Sequence, residues 1–352
     1  MGPQPSLAPD RDLAERFRAR DIRALARAIS LVERRDPAVR ALEESLGDRA
    51  LVAHVAGFTG APGTGKSTLV DAVVALLRRQ DKSVGVIATD PNSPFTGGAI
   101  LGDRIRMQRH ALDPKVYIRS MGARGHLGGL SLATREAIRL LLAFGFDQVI
   151  LETVGVGQSE LEVAAIADTT VVVLTPNLGD GVQMIKAGIL EIADVLVVNK
   201  ADLEGHHRVV MELRGMLSLA SPGASASSGV PVTAGRGRSW KPPIITTVAT
   251  RQEGIDELWA AVEAHRLYLQ TSGAAGELAE RRLKDETAEV VAELARDEAR
   301  RALAENSNLI EGLLKDGTPY RAAEEILSRM ASARPKRSPR RGVKTSDNGM
   351  KI

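Results

Sequence analysis

The chain has 352 residues, 43% of them hydrophobic but only 3% aromatic, with a formal net charge of +3, six histidines and no cysteine. That length allows one large domain with appendages or two domains. The scarcity of aromatics argues against a base-stacking nucleic-acid platform, and the lack of thiols excludes disulfides, zinc–thiolate sites and a cysteine nucleophile, which fits a reducing cytosol.

The N-terminal stretch MGPQPSLAPDRDLAERFRARD has no apolar core of the secretory type, and its acids Asp10, Asp12, Glu15 and Asp21 argue against a transit peptide. No stretch anywhere reaches the roughly 18 consecutive apolar residues of a membrane span, so a cytoplasmic protein is expected. Over 10–48, Leu13, Phe17, Ile22, Leu25, Ile29 and Leu31 recur at helical spacing, with a break at Pro37. An N-terminal helical extension over 1–50 is predicted.

From residue 51 apolar runs alternate with helical patterns. Strands are predicted at 52–60, 83–90, 115–120, 147–153, 169–176, 194–200 and 243–250. Helices are predicted at 66–79, 99–110, 131–144, 183–192, 206–219 and 255–269. Short buried runs separated by helices, with a Val, Ile, Leu and Ala core, predict an α/β domain over 51–270 whose sheet is mostly parallel, doubly wound and flanked by helices. Residues 221–239 are Gly-, Ser-, Pro- and Ala-rich and read as a mobile loop.

A C-terminal helical arm is predicted over 271–330. Leu278, Leu283, Val290, Val291 and Leu294 form a narrow apolar stripe on a highly charged helix, which must pack on the preceding domain or on a second subunit. Much of the basic excess falls in the last twenty residues: Arg334, Lys336, Arg337, Arg340, Arg341, Lys344 and Lys351, opposed there only by Asp347. Residues 331–352 carry no apolar pattern and read as a disordered basic tail. The remainder is near neutral, so neither nucleic acid nor a membrane is expected as a partner.

The chemistry starts at Gly60-Ala61-Pro62-Gly63-Thr64-Gly65-Lys66-Ser67-Thr68, which fits G-x-x-x-x-G-K-[ST] between a predicted strand and a predicted helix. Glycines let backbone N–H groups turn onto phosphates, and the helix N-terminus adds favourable partial charge. In a P-loop NTPase, Lys66 reaches the β- and γ-phosphates and the Ser67 hydroxyl ligates Mg²⁺. Asn199-Lys200-Ala201-Asp202 ends a later strand. A carboxylate at Asp202 can accept from N1–H and the 2-amino group of guanine, whereas adenine offers no such donor pair, so GTP is the expected nucleotide.

A Mg²⁺ carboxylate and a γ-phosphate sensor must lie between these motifs. Asp90, at a strand end and opposite the P-loop strand if the two are neighbours, and Asp103 are candidates. Glu152-Thr-Val-Gly155 occupies the place of a D-x-x-G segment, with Gly155 offering its N–H to the γ-phosphate. Val156 stands where Ras-type GTPases carry a water-orienting glutamine, which predicts slow intrinsic hydrolysis. Arg104, Arg119, Arg124 and Lys186 are basic residues that could reach transition-state charge, although surface solvation is the better reading for any one of them. The histidines show no metal-ligand spacing.

Five separated segments, in order, carry a resemblance: GFTGAPGTGKST, ATDPNSPFTGGAILGDRIRM, YIRSMGARGHLGGLSLATREAI, ETVGVGQSE and DGVQMIKAGILEIADVLVVNKAD. Together they resemble the MeaB/ArgK-type GTPases of the SIMIBI class, which include the methylmalonic-aciduria type A protein, over about residues 12–330. The resemblance implies a GTP-hydrolysing chaperone that gates adenosylcobalamin loading of an acyl-CoA mutase of the methylmalonyl-CoA mutase type and protects or reactivates it. It implies a homodimer joined through the C-terminal helices, and switch and Mg²⁺ roles for Asp90, Asp103 and Glu152. It also implies a partner-responsive switch at Asp180, Gln183 and Lys186, and guanine O6 contact at Val248-Ala249-Thr250. The 221–239 loop and the tail after Arg334 depart from the shared pattern. Two other readings are a kinase or ATPase linked to basic amino-acid transport, which Asp202 argues against, and a nickel or cobalt insertion GTPase, which the lack of cysteine and of a histidine cluster argues against.

Overall fold

The computed structural model describes residues 11–36, 38–46, 53–91, 107–123, 132–153, 159–176, 190–219, 240–305 and 318–333. The predicted loop 221–239 and residues 334–352 of the tail predicted over 331–352 lie outside them, whereas 331–333 belong to the last described helix. Seven strands form one sheet: β1 (His54–Thr59), β2 (Val84–Pro91), β3 (Val116–Ala123), β4 (Gln148–Thr153), β5 (Thr169–Leu174), β6 (Val195–Asn199) and β7 (Ile244–Thr247). Their order is β3-β2-β4-β1-β5-β6-β7 and every pairing is parallel. β1, β4, β5 and β6 are buried along their whole length. This is why their sequences read as continuous apolar runs and not as alternation: both faces are covered.

The described helices of more than three residues are α1 (Arg11–Arg18), α2 (Ile22–Arg34), α3 (Ala38–Leu46), α4 (Lys66–Arg79), α5 (Leu132–Phe144), α6 (Ser159–Ile166), α7 (His206–Leu219), α8 (Ile255–Ser272), α9 (Ala274–Glu305) and α10 (Pro319–Ala333), and Leu190–Ile192 is the described part of the helix predicted over 183–192. One face of the sheet packs Val55, Ile87, Val149 and Leu151 under α1, α2, α3, α5 and α6. The other packs Ala56, Phe58, Val86, Ile150, Val171 and Val173 under α4 and α8. Val172 and Leu174, pointing away from Val171 and Val173, meet α7 through Val210 and Leu213. The period of two along each strand thus distributes one run of valines between two cores.

α2 shows how the N-terminal layer attaches. Asp21 caps it by accepting from the Arg23 N–H at 2.8 Å, and Ala24, Leu25, Ala28, Ile29 and Val32 bury one face. The scarce aromatics are spent at this junction: Phe17 meets Phe144 edge-on at 5.3 Å, and Phe144 stacks on Phe146 at 5.5 Å. Each such pair contributes about 0.5–1.5 kcal/mol beyond area burial.

The chain divides into two compact units, Met1–Leu283 and Lys284–Ile352, with the boundary inside α9. On α9, Leu283, Val291 and Leu294 of the predicted stripe are exposed.

Three local expectations change. The strand expected over 115–120 continues to Ala123 along the edge of β2. Of the helix expected over 99–110, the described part is a 3-10 turn at Gln108–His110. The strand expected over 243–250 stops at Thr247, because the chain turns at Val248 into a 3-10 turn at Ala249–Arg251.

Candidate active site

β1 sits at the centre of the sheet with β4 on one side and β5 on the other. Open α/β sheets bind ligands outside the carboxyl ends of such strands, where the winding reverses. The loop leaving β1 there is 60–65. Gly60 has φ +140°, and a Cβ on it would lie 2.2 Å from the Val173 carbonyl oxygen. Gly65 caps α4 with φ +88°, and its Cβ would lie 2.6 Å from Asn199 Nδ2. Neither position accepts a side chain, which is the physical content of the glycines in the motif. α4 follows with its N-terminal N–H groups and dipole aimed at the loop.

Lys66 is buried, and its Nζ donates to the carbonyl oxygens of Gly60 at 2.7 Å and Ala61 at 2.9 Å. The ammonium therefore lies within the curl of the loop. The Ser67 hydroxyl donates to Glu152 Oε1 at 2.5 Å, with both residues buried. The register explains this meeting across 85 residues: Phe58 of β1 pairs with Glu152 of β4, so the carboxylate emerges beside the start of the loop. Threonines not foreseen from the sequence brace this edge. Thr89 donates to the Glu152 carbonyl at 3.2 Å, and Thr153 donates to Thr59 Oγ1 at 3.2 Å. Thr59, Thr89 and Thr153 lie at or near strand ends in FT, AT and ET, a pattern that could have drawn attention to them.

On the other flank, Asn199 ties three segments together. Its Nδ2 donates to the Thr64 carbonyl at 2.8 Å, while its Oδ1 accepts from Thr247 Oγ1 at 3.0 Å and from the Ala249 N–H at 3.2 Å. Lys200, with φ +57°, donates from Nζ to the Gly63 carbonyl at 2.9 Å. A pocket of about 220 Å³ opens between these loops. Gly65 and Thr68 line it from the phosphate-loop side, Asn199, Lys200, Asp202 and Leu203 from the β6 loop, and Val248, Ala249 and Thr250 from the β7 turn.

The structure thus brings together the residues of 60–68, Glu152, Asn199, Lys200, Asp202 and 248–250. Asp90 is the last residue but one of β2, its backbone paired with Gly122, and its side chain is not among those described. The conditional neighbouring of β2 and the phosphate-loop strand does not hold, because β4 is inserted between them. Parallel partners are chosen among segments far apart in the chain, so order in sequence says little about order in the sheet. Asp103, Gly155, Asp180, Gln183 and Lys186 lie outside the described residues, as do Arg104 and Arg124. Arg119 is a correction: it points to α2, where it pairs with Glu33 and donates to Ser30 Oγ at 3.2 Å.

At the opposite, amino-terminal edge of the sheet lies a buried polar cluster that the sequence did not reveal. Thr169 Oγ1 sits 2.8 Å from His54 Nε2 and 2.8 Å from His265 Nδ1. His265 Nε2 is 3.5 Å from Asp194 Oδ1, and the Trp240 indole N–H donates to the Asp194 carbonyl at 2.8 Å. Burial pushes the His54 pKa down to about 4; Asp168 opposes this, and Arg266 and Arg282 reinforce it.

Comparison with known proteins agrees with this geometry. Residues 25–308 match the family described as methylmalonyl Co-A mutase-associated GTPase MeaB. A provisionally named GTPase of Pyrococcus horikoshii is 44% identical over 325 residues, covering 92% of this chain and 99% of that one. GTPase ArgK of Escherichia coli is 40% identical, covering 73% of this chain and 76% of its own. Among solved structures, that of an LAO/AO transport system kinase superposes with a TM-score of 0.60 at 27% identity, covering 94% of this chain and 99% of that chain. With a phosphate loop, a seven-stranded parallel sheet and a family match over most of its length, the chain belongs to the MeaB family and is a GTPase.

Proposed function

We propose that this GTPase is a chaperone that gates adenosylcobalamin loading of an acyl-CoA mutase of the methylmalonyl-CoA mutase type, and protects or reactivates that mutase. The family match carries this reading, together with a relative named methylmalonic aciduria type A homolog in Mus musculus, 36% identical over 73% of this chain and 62% of that one. In this reading the backbone N–H groups of 60–68 and Lys66 Nζ bind and orient the phosphates. Asn199 and Lys200 brace the loop, Asp202 reads N1–H and the 2-amino group of guanine, and 248–250 face O6.

The Ser67 hydroxyl and the Glu152 carboxylate, 2.5 Å apart and buried, are hard oxygen donors of the kind Mg²⁺ takes, alongside phosphate oxygens and water. Ser67 would hold the ion directly, with Glu152, Asp90 and Asp103 completing or orienting its shell. When bound, the ion supplies charge neutralisation at the β- and γ-phosphates. Gly155 senses the γ-phosphate, and Asp180, Gln183 and Lys186 form the switch that reports to the mutase. Val156 at the glutamine position supports slow turnover until the mutase completes the site.

Homodimerisation through the C-terminal helices fits the exposed side chains of Leu283, Val291 and Leu294 on α9. No helix among the described residues is long and apolar enough to cross a membrane, and a cytoplasmic location completes the reading.

The test is association with purified acyl-CoA mutases in the presence of GDP, GTP or a non-hydrolysable GTP analogue. The expected outcome is nucleotide-dependent binding to one of them and faster GTP turnover in its presence; absence of both with every mutase tried would refute the chaperone role. Similarity to the LAO/AO transport system kinase favours one alternative, a kinase linked to basic amino-acid transport. That alternative requires ATP in preference to GTP and phosphate transfer to a protein, and competition between the two nucleotides separates the readings.

A further inference from the structure

Asp202 does not stand alone at the mouth of the nucleotide pocket. Arg251 Nη2 lies 3.6 Å from Asp202 Oδ2, with 60% of the arginine side chain and 33% of the aspartate side chain exposed. Arg251 is not among the residues that line the pocket, whereas Asp202 is. The guanidinium is thus the more exposed partner and lies outside the lining of the pocket that Asp202 helps to form.

Both partners are held by the backbone. The Ala201 N–H donates to the Thr247 carbonyl at 3.0 Å, which ties the turn bearing Asp202 to the end of β7. The Leu203 N–H donates to the Lys200 carbonyl at 3.0 Å and closes that turn. Facing it, the Arg251 N–H donates to the Val248 carbonyl at 2.9 Å, and Val248 and Glu253 exchange two backbone hydrogen bonds at 3.1 and 3.3 Å. The next residue, Gln252, is tethered through Oε1, which accepts from Arg79 Nη1 at 3.1 Å. Two closed turns thus present one cation to one carboxylate.

We propose that Arg251 is a positioning residue for guanine specificity. It holds the Asp202 carboxylate in the plane where both oxygens face the base edge, so that N1–H and the 2-amino group are read together. This deepens, and rests on, the assignment of Asp202 as the base-reading residue. At 3.6 Å the contact is an ion pair and not a hydrogen bond, so Asp202 can be steered by the guanidinium's charge and still accept from the base. A lysine at 251 would keep the charge but not the fixed planar shape of the guanidinium.

The probe pair is GDP and IDP, because hypoxanthine keeps N1–H but lacks the 2-amino group. The full-length chain and its Arg251→Ala, Arg251→Lys and Asp202→Asn variants are titrated with both diphosphates. In Arg251→Ala, GDP binding should weaken by about threefold to fivefold at low salt, the upper part of the range of an exposed ion pair. IDP binding should weaken less, so that the GDP/IDP ratio falls by roughly twofold or more. Arg251→Lys should recover part of the ratio, and the effect should fade near 1 M salt, where screening reaches about 3 Å.

Equal losses for GDP and IDP would mean that Arg251 only shapes the turn, and would overturn the proposal. Tighter GDP binding in Arg251→Ala would overturn it too, since the arginine would then be competing with the base. If Asp202→Asn collapses the GDP/IDP ratio while Arg251→Ala leaves it intact, the arginine role alone fails. A wild-type ratio in Asp202→Asn removes the base-reading assignment itself, and the Arg251 role with it.

Discussion

Acid should destabilise this protein through His54. Its ring is 5% exposed at the floor of the sheet, and burial lowers its pKa from 6.5 to about 4. A depressed histidine contributes stability that is fully present above its unfolded pKa. As pH falls below 6.5 the unfolded chain takes up a proton that the folded chain refuses, and the loss is complete near pH 4. The gap between 6.5 and about 4, at about 1.4 kcal/mol for each tenfold, amounts to about 3.5 kcal/mol, of which about 3 kcal/mol is lost between pH 7 and 4.2. That is a large share of the ~5–15 kcal/mol by which domains are stable.

His54→Gln isolates the effect, because glutamine keeps a polar group near the position of Nε2, which lies 2.8 Å from Thr169 Oγ1, and does not titrate. Urea unfolding followed by circular dichroism at pH 7, 6, 5 and 4.2 should show wild type losing about 3 kcal/mol more than the variant across that window. Carboxylates such as Asp113, held below the usual range by the hydrogen bond from Arg78, lose their contribution only at more acid pH and do so in both proteins. Parallel profiles for wild type and His54→Gln would refute the reasoning.

Three further outcomes are expected. Gly60→Ala should cost about 2–4 kcal/mol or abolish folding, because its Cβ would meet the Val173 carbonyl at 2.2 Å; thermal melting checks this. Ser67→Ala removes the donor to Glu152 and should weaken Mg²⁺-dependent, but not Mg²⁺-free, GDP binding by at least about tenfold, read by calorimetry with and without chelator. Asp202→Asn should lower GTP affinity by roughly 10–100-fold, the value of a hydrogen bond to a charged group, and shift preference toward XTP, whose 2-oxo group needs a donor; nucleotide competition would show it.

The parts of this protein legible in its sequence are those made by near neighbours in the chain. A buried parallel strand announces itself as an apolar run, a helix by its period, and the phosphate loop by glycines whose φ angles no other residue adopts comfortably. Gly60, Gly65, Lys66 and Ser67 act within one turn of chain, so the motif and its geometry coincide. Asp202 could be singled out for the same reason, at the end of one strand.

Only the tertiary structure decided which distant segments meet. Ser67 finds Glu152 because β4 inserts beside β1, and the same insertion removes β2 from the position its place in the chain suggested. Arg119 turns to Glu33 on α2 and not to the phosphate loop. His54, Thr169 and His265 form one buried chain although each, alone, looks like an isolated polar residue. Arg251 meets Asp202 only because the turns after β6 and β7 lie side by side. Parallel sheets join strands that are remote in sequence, and the side chains brought together at their two edges carry no local pattern by which to be read.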